Sequence, residues 1–156
     1  MRYITLYEYE SASGEPTNLF LDGLSFLAPV TETPMQGTSE LWHIINLTED
    51  NHPIHIHLGL FFVFHQTELL KLEEFKSYMQ KKNDAVRCNI EKHAKGRVIP
   101  VPANERTWKN VFKMQPGYMT TILLRFSLLD SQHPYPFNAS DEPGYVYHCH
   151  VSLSFN

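Results

Sequence analysis

Two short stretches constrain this chain more than anything else in it: His52-Pro53-Ile54-His55-Ile56-His57 and, far downstream, Tyr147-His148-Cys149-His150. In an extended strand successive side chains point to opposite faces, so His148 and His150 share one face and Cys149 takes the other. His55 and His57 likewise share a face. His52 lies an odd number of residues from both and precedes a proline, so it need not share theirs. If the two strands lie side by side, His55, His57, His148 and His150 converge on one centre and His52 with Cys149 on a second. The pattern predicts two metal centres joined through one backbone.

A thiolate with imidazoles and no carboxylate suits copper or zinc. Structural zinc sites usually draw paired ligands from Cys-x-x-Cys or His-x(3 to 5)-His units, whereas here the ligand types alternate along a strand, which favours copper. A lone histidine is more often a hydrogen-bonded core or surface residue than a ligand. Six ligand-type residues in two tight clusters reverse that expectation.

The same residues carry a family resemblance. HPIHIHLGLF and YHCHV resemble the copper-ligand motifs of the last cupredoxin domain of multicopper oxidases, HPxHxHxxxF and HCHxxxHxxxxM. RYITLYEY, PVTETPMQGTSELWHIINLTEDNHPIHIHLGLF, TWKNVFKMQPG and EPGYVYHCH are similar to the same domain, so the resemblance covers nearly the whole chain. Within the family it is greatest to the plant low-phosphate-root type, related to spore-coat laccase and bilirubin oxidase. The resemblance implies that His52 and Cys149 bind a type 1 copper that takes electrons from substrate. It implies that His55, His57, His148 and His150 give four imidazoles to a type 2/type 3 cluster where dioxygen becomes water. It further implies Fe(II) or a small phenol as reductant, the N-terminal cupredoxin domains of a parent enzyme as partners, a link to phosphate starvation, and a secretory compartment, either endoplasmic reticulum or cell wall.

One departure stands out. The family pattern has a second type 1 histidine five residues after the cysteine, where this chain has Ser154, and an axial methionine beyond Asn156. Loss of a direct ligand is expected to leave the type 1 site incomplete. The chain therefore reads as one cupredoxin domain over 1–156, truncated at its C-terminus and able alone to build half of each site. Three functions compete on these grounds: the C-terminal domain of a ferroxidase-like or laccase-like oxidase, a copper-binding or regulatory protein without turnover, and a zinc-binding structural module.

A formal charge of -4 gives no electrostatic case for nucleic acid. No apolar run approaches the roughly 20 residues of a membrane helix, and Met1-Arg2-Tyr3-Ile4-Thr5 has no signal-peptide core. Cys149 is committed by its flanking histidines, so Cys88 reads as a free thiol or a partner for a cysteine elsewhere. Asn46-Leu47-Thr48 and Asn138-Ala139-Ser140 are glycosylation triplets compatible with secretion, though such triplets are common by chance.

Alternation predicts strands over 2–10, 18–26, 40–47, 54–65, 106–114, 118–127 and 144–150, with Leu41, His43, Ile45 and Leu47 on one face and Leu58, Leu60, Phe62 and Phe64 on another. His43 has no second ligand nearby and reads as an ordinary polar residue. Between Thr67 and Lys82 the period changes: Leu69, Leu72, Phe75 and Met79 predict a surface helix capped by Thr67, its stripe packed on the core or, alternatively, offered to a partner. From Lys81 to Arg97, six of thirteen basic residues gather in what reads as a solvated loop. The sum is an all-β, cupredoxin-like Greek-key β-sandwich with one inserted surface helix.

Glu49 and Asp50 stand just before Asn51-His52. A carboxylate beside a copper-ligating imidazole can dock Fe(II) and favour Fe(III) by its charge, Asp50 being the better placed. The alternative is a turn in which Thr48-Glu49-Asp50-Asn51 caps its own backbone.

Overall fold

The computed structural model describes residues 1–13, 16–25, 27–128, 130, 131, 133, 135, 136 and 146–150. Among the described residues nine strands form two sheets. β1 (Arg2–Glu10), β2 (Pro16–Leu21), β3 (Ser39–Asn46), β5 (Leu60–Leu69), β6 (Ala94–Pro100) and β8 (Tyr118–Arg125) build a six-stranded sheet in the order β2-β1-β3-β8-β5-β6. β4 (His52–Ile56), β7 (Val111–Met114) and β9 (Tyr147–Cys149) build a three-stranded sheet in the order β7-β4-β9. The β1–β3 pair is parallel and the other described pairs are antiparallel.

The two sheets close on one core. Ile4, Leu6, Trp42, Ile44, Phe61, Val63, Ile122 and Leu124 from the large sheet meet Ile54, Ile56, Phe112 and Met114 from the small one. At about 25 cal/mol per Å² of apolar surface, this burial is the main force holding the layers together. The large sheet buries its other face as well, because α1 (Leu72–Lys82) and the four-residue α2 (Ile90–His93) cover Ile45, Leu47 and Leu69 with Phe75, Met79 and Ile90. β3 shows both layers: Trp42 and Ile44 point to the first core, and Ile45, with Leu47 just past the strand's end, to the second.

Three expectations change. The stretch 54–65 is two strands in two different sheets, not one. Leu58 takes a positive φ of 60° and the Gly59 N–H donates to the His57 carbonyl at 2.6 Å, so the chain turns over and leaves the small sheet. The turn reverses the face that follows: Phe61 and Val63 are buried, while Leu58 and Phe64 are exposed. Second, the helix begins at Leu72, because Thr67 and Leu69 are paired in β5, and Lys71 in left-handed conformation (φ 54°) starts it without a side-chain cap. Phe75 and Met79 do pack inward, at 0% and 2% exposure. Third, the basic stretch is not all loop: it holds α2 and the edge strand β6.

A polar clasp ties the end of α1 to the β1–β2 side of the sheet. Asn83, left-handed at φ 45°, donates from Nδ2 to the Asp22 carbonyl at 2.7 Å and accepts from the Tyr7 hydroxyl at 2.8 Å. The Asp22 carboxylate accepts the Thr5 N–H at 2.6 Å, yet burial pushes its pKa up to about 6.

Gly59 is required by close approach: a Cβ there would lie 2.9 Å from Leu124 Cδ1 and 3.2 Å from Ile56 Cγ2. Gly59→Ala is expected to destabilise the fold by about 1–3 kcal/mol in denaturant melts, the usual cost of overpacking a core; an unchanged midpoint would refute the account of this turn. Asp22 gives a pH prediction. Its folded pKa exceeds the unfolded carboxylate value of 3.8, so the folded chain holds the proton more tightly, and that contribution is complete only below the unfolded value and is lost as pH rises through about 6. Asp22→Asn, which tolerates the positive φ, should match the wild type below the unfolded value and gain on it by pH 7; parallel stability profiles would contradict this.

Candidate metal centre

The small sheet decides the site. β4 and β9 pair antiparallel with Ile54 opposite Cys149, His55 opposite His148 and Ile56 opposite Tyr147. The ladder runs past the strand ends, since the His57 N–H donates to the Val146 carbonyl at 2.8 Å and the His150 N–H to the Pro53 carbonyl at 2.9 Å. Alternation then puts His52, Ile54, Ile56, Tyr147 and Cys149 on the core side and His55, His57, His148 and His150 on the outer side. Tyr147 anchors the short β9: its ring meets Trp42 edge-on at 5.8 Å and its hydroxyl lies 3.2 Å from Thr31 Oγ1.

On the outer face the four imidazoles gather. Ring centroids lie at 4.7 Å for His55–His57, 5.1 Å for His57–His148, 5.1 Å for His55–His150 and 4.8 Å for His148–His150. Donor nitrogens of His55, His57 and His148 all fall within 4.8 Å of one another. Backbone carbonyls orient two of the rings: His55 Nδ1 donates to the Asn110 carbonyl at 2.7 Å and His148 Nδ1 to the Cys149 carbonyl at 3.1 Å. Each therefore keeps a bare Nε2 lone pair, the arrangement in which a ligating histidine has its other nitrogen tied to an acceptor. His57 Nε2 stands 3.0 Å from His148 Nε2. Desolvation, then the like charges of His55, His148 and His150, lower the pKa of His57, which favours its neutral, ligating form.

On the core side His52 is 2% exposed, and its Nδ1 lies 3.3 Å from Cys149 Sγ. Burial lowers its pKa against the opposing charge of Asp50. The donor chemistry fits a thiophilic, imidazole-binding metal: one sulfur and one neutral imidazole inside, four imidazoles outside, and no carboxylate among them. All six predicted residues thus converge in the predicted division, His52 with Cys149 and the four histidines together. Ser154, on which the incomplete type 1 set turns, lies outside the described residues, as does the Asn138 triplet.

Glu49 and Asp50 separate. Glu49 Oε1 accepts Lys76 Nζ at 2.7 Å, whereas the Asp50 side chain is exposed beside the buried His52. The turn reading also holds, since Thr48 Oγ1 accepts the Asp50 N–H at 3.2 Å. His43 is an ordinary polar residue, with Nδ1 at 3.1 Å from Thr121 Oγ1 and its ring stacked on Tyr3. Cys88 is free and 2% exposed within the second core, which rules out pairing with an outside cysteine in the folded chain. The Asn46 triplet needs correction: Asn46 is fully buried and its Nδ2 donates to the Asp50 and Met114 carbonyls, so it is no glycosylation acceptor in the fold. Sequence reasoning took Asn46 and Thr48 for a sequon and missed that Thr48 Oγ1 sits 2.7 Å from His52 Nε2. The available signal was Thr48 standing four residues before a ligand-type histidine.

A two-sheet β-sandwich with a thiol–imidazole pair inside and an imidazole cluster outside is a metal-binding domain of cupredoxin type, and comparison with known proteins agrees. A family model described as multicopper oxidase matches residues 4–154. The chain is 61% identical over 152 residues to the multicopper oxidase LPR1 of Arabidopsis thaliana, covering 96% of this chain and 26% of that protein. It is 30% identical over 151 residues to a laccase of Bacillus subtilis strain 168, covering 97% and 25% respectively. Among solved structures, a laccase from Pediococcus acidilactici matches with a TM-score of 0.56 at 18% identity, covering 95% of this chain and 23% of that one. McoA of Aquifex aeolicus gives 0.52 at 20% identity, covering 95% and 25%. These two structures establish the fold.

The chain belongs to the multicopper oxidase family, whose metal is copper. It spans about a quarter of the length of the curated relatives it matches. Among the described residues no helix is long and apolar enough to cross a membrane.

The two thiols differ in access, Cys149 being half-buried and Cys88 enclosed. A thiol reagent applied to the native, metal-free chain should label Cys149 first, and Cys88 only on unfolding. Equal rates at both would contradict the packing described.

Proposed function

We propose that His52 and Cys149 hold one copper ion, that His55, His57, His148 and His150 contribute to a second, multinuclear copper centre, and that the chain serves as the copper-bearing C-terminal domain of a ferroxidase-like or laccase-like oxidase. The observation that carries this reading is the placement of the two ligand sets on opposite faces of a single strand pair, with His52 Nδ1 3.3 Å from Cys149 Sγ on one side. When bound, copper supplies one-electron redox chemistry and the reduction of dioxygen to water.

The chain's own residues supply position. The buried side of β4 shields His52 from water, while the outer histidines remain open to whatever completes their centre. Cys149 is bonded directly to His148 and His150, so one peptide unit on each side joins the two faces. N-terminal cupredoxin domains of a parent protein are the partners this reading requires. Its compartment is the secretory pathway or cell wall, on family resemblance.

Fe(II) is the substrate favoured over small phenols, and Asp50 its docking carboxylate. Asp50 is exposed and close enough to His52 to oppose the lowering of that imidazole's pKa, while Glu49 is engaged by Lys76. A negative charge there stabilises Fe(III) over Fe(II).

Loading the chain with Cu(II) tests the copper assignment: a thiolate-to-copper charge-transfer band that disappears in Cys149→Ser is the expected result, with oxygen uptake on Fe(II) expected only when the chain is joined to the N-terminal cupredoxin domains. Copper held without that band refutes the assignment of Cys149, and the band without oxygen uptake in the joined protein favours a copper-binding protein that does not turn over. In the copper-loaded protein joined to its N-terminal domains, Asp50→Asn should raise KM for Fe(II) about 3- to 10-fold, a loss of about 1 kcal/mol, and leave phenol oxidation unchanged. An equal loss on both substrates would remove Asp50 from the docking role.

A further inference from the structure

Behind His52 lies a buried chain of hydrogen bonds whose direction can be followed proton by proton. Asn46 is 0% exposed, and one end of its amide faces two carbonyls, those of Asp50 at 2.8 Å and Met114 at 3.0 Å. Carbonyl oxygens only accept, so that end is the NH2 group and the other end is the amide oxygen. The amide oxygen accepts the Thr48 N–H at 3.0 Å and faces Thr48 Oγ1 at 2.8 Å. The Thr48 hydroxyl has one proton and faces two oxygens that only accept, Asn46 Oδ1 at 2.8 Å and the Asp50 carbonyl at 3.2 Å, so the proton goes to the nearer, Asn46. With its proton committed to Asn46, Thr48 Oγ1 meets the Asp50 N–H at 3.2 Å and His52 Nε2 at 2.7 Å as an acceptor. His52 must therefore carry its proton on Nε2, which leaves the Nδ1 lone pair facing Cys149 Sγ at 3.3 Å.

We infer that Asn46 and Thr48 form a positioning relay that fixes the tautomer and ring orientation of His52 before any metal arrives, and that Thr48 is the residue through which it acts. The inference rests on the copper assignment for its purpose, but its geometry stands in the metal-free chain. Thr48 is 3% exposed, so no water competes for His52 Nε2, and an unpaired N–H there would cost the desolvation of a buried donor. Such a backing hydrogen bond restricts a ligating imidazole to one pose, and removing the partner typically costs about 10- to 100-fold in metal affinity.

The relay is tested in the full chain by two-bond 1H–15N correlation spectra of the metal-free protein, with Thr48→Val and Thr48→Ser beside the wild type. The wild type should show His52 protonated at Nε2 and bare at Nδ1. Thr48→Val, nearly isosteric, should lose that single tautomer and bind copper at the thiolate site about 10- to 100-fold more weakly, with copper at the outer histidines unchanged; Thr48→Ser should restore both. Wild-type His52 protonated at Nδ1 would overturn the relay without requiring any variant to fold. So would a folded Thr48→Val chain with tautomer and affinity unaltered. If wild-type copper shows no thiolate band, the copper assignment fails, and the tautomer in the metal-free chain still decides for or against the relay.

Discussion

The antiparallel pairing of β4 with β9 is the constraint on which the rest depends. Its register, Ile54 against Cys149 and His55 against His148, assigns six ligand-type side chains to two faces at once. A slip of one residue would send His148 and His150 into the apolar core and bring Cys149 to the outside, because side chains alternate with a period of two. The fold guards that register from both sides. Ile54 and Ile56 are buried between the sheets, and Tyr147 packs edge-on against Trp42. The core is thus the device that aims the site, as well as the source of stability.

The large sheet provides the platform, and its second core explains how it remains rigid. With α1 and α2 covering part of the face away from the small sheet, β3 is buried on both sides, the ends of β5 and β8 are covered at Leu69 and Met119, and the small sheet packs on a braced platform. The polar network around Asn46 belongs to the same design. It closes the turn from β3 into β4, satisfies buried carbonyls of Asp50 and Met114, and ends on His52. Turn, tautomer and ligand direction are set by one connected group of hydrogen bonds, which in a buried setting is worth more intact than its members singly.

How much of this was legible in the sequence follows from the range of each interaction. The division of the six ligand-type side chains between two faces needed only strand parity and one assumption of pairing, and that division is the one the strand pair shows. The break after Ile56 was hidden because Leu58, a residue type that rarely takes positive φ, does so here under the pull of two sheets. The helix start was misplaced because Leu69 fits a helical stripe by spacing while its backbone is paired with Ala94. β6 escaped notice since an edge strand with mostly exposed side chains has no apolar alternation to display. The relay from Asn46 to His52 was written within seven residues, but the same letters also spell a glycosylation triplet, and only burial separates the two.

The claim that two copper sites share one strand pair is tested most directly by X-ray absorption at the copper edge, comparing the copper-loaded chain with its Cys149→Ser variant. A sulfur scatterer in the wild type that vanishes in the variant, with imidazole scattering from the remaining copper retained, is what the opposed faces of β4 and β9 predict. Copper bound by nitrogen and oxygen alone in the wild type, or loss of all copper when Cys149 is replaced, would contradict the separation of the two sites.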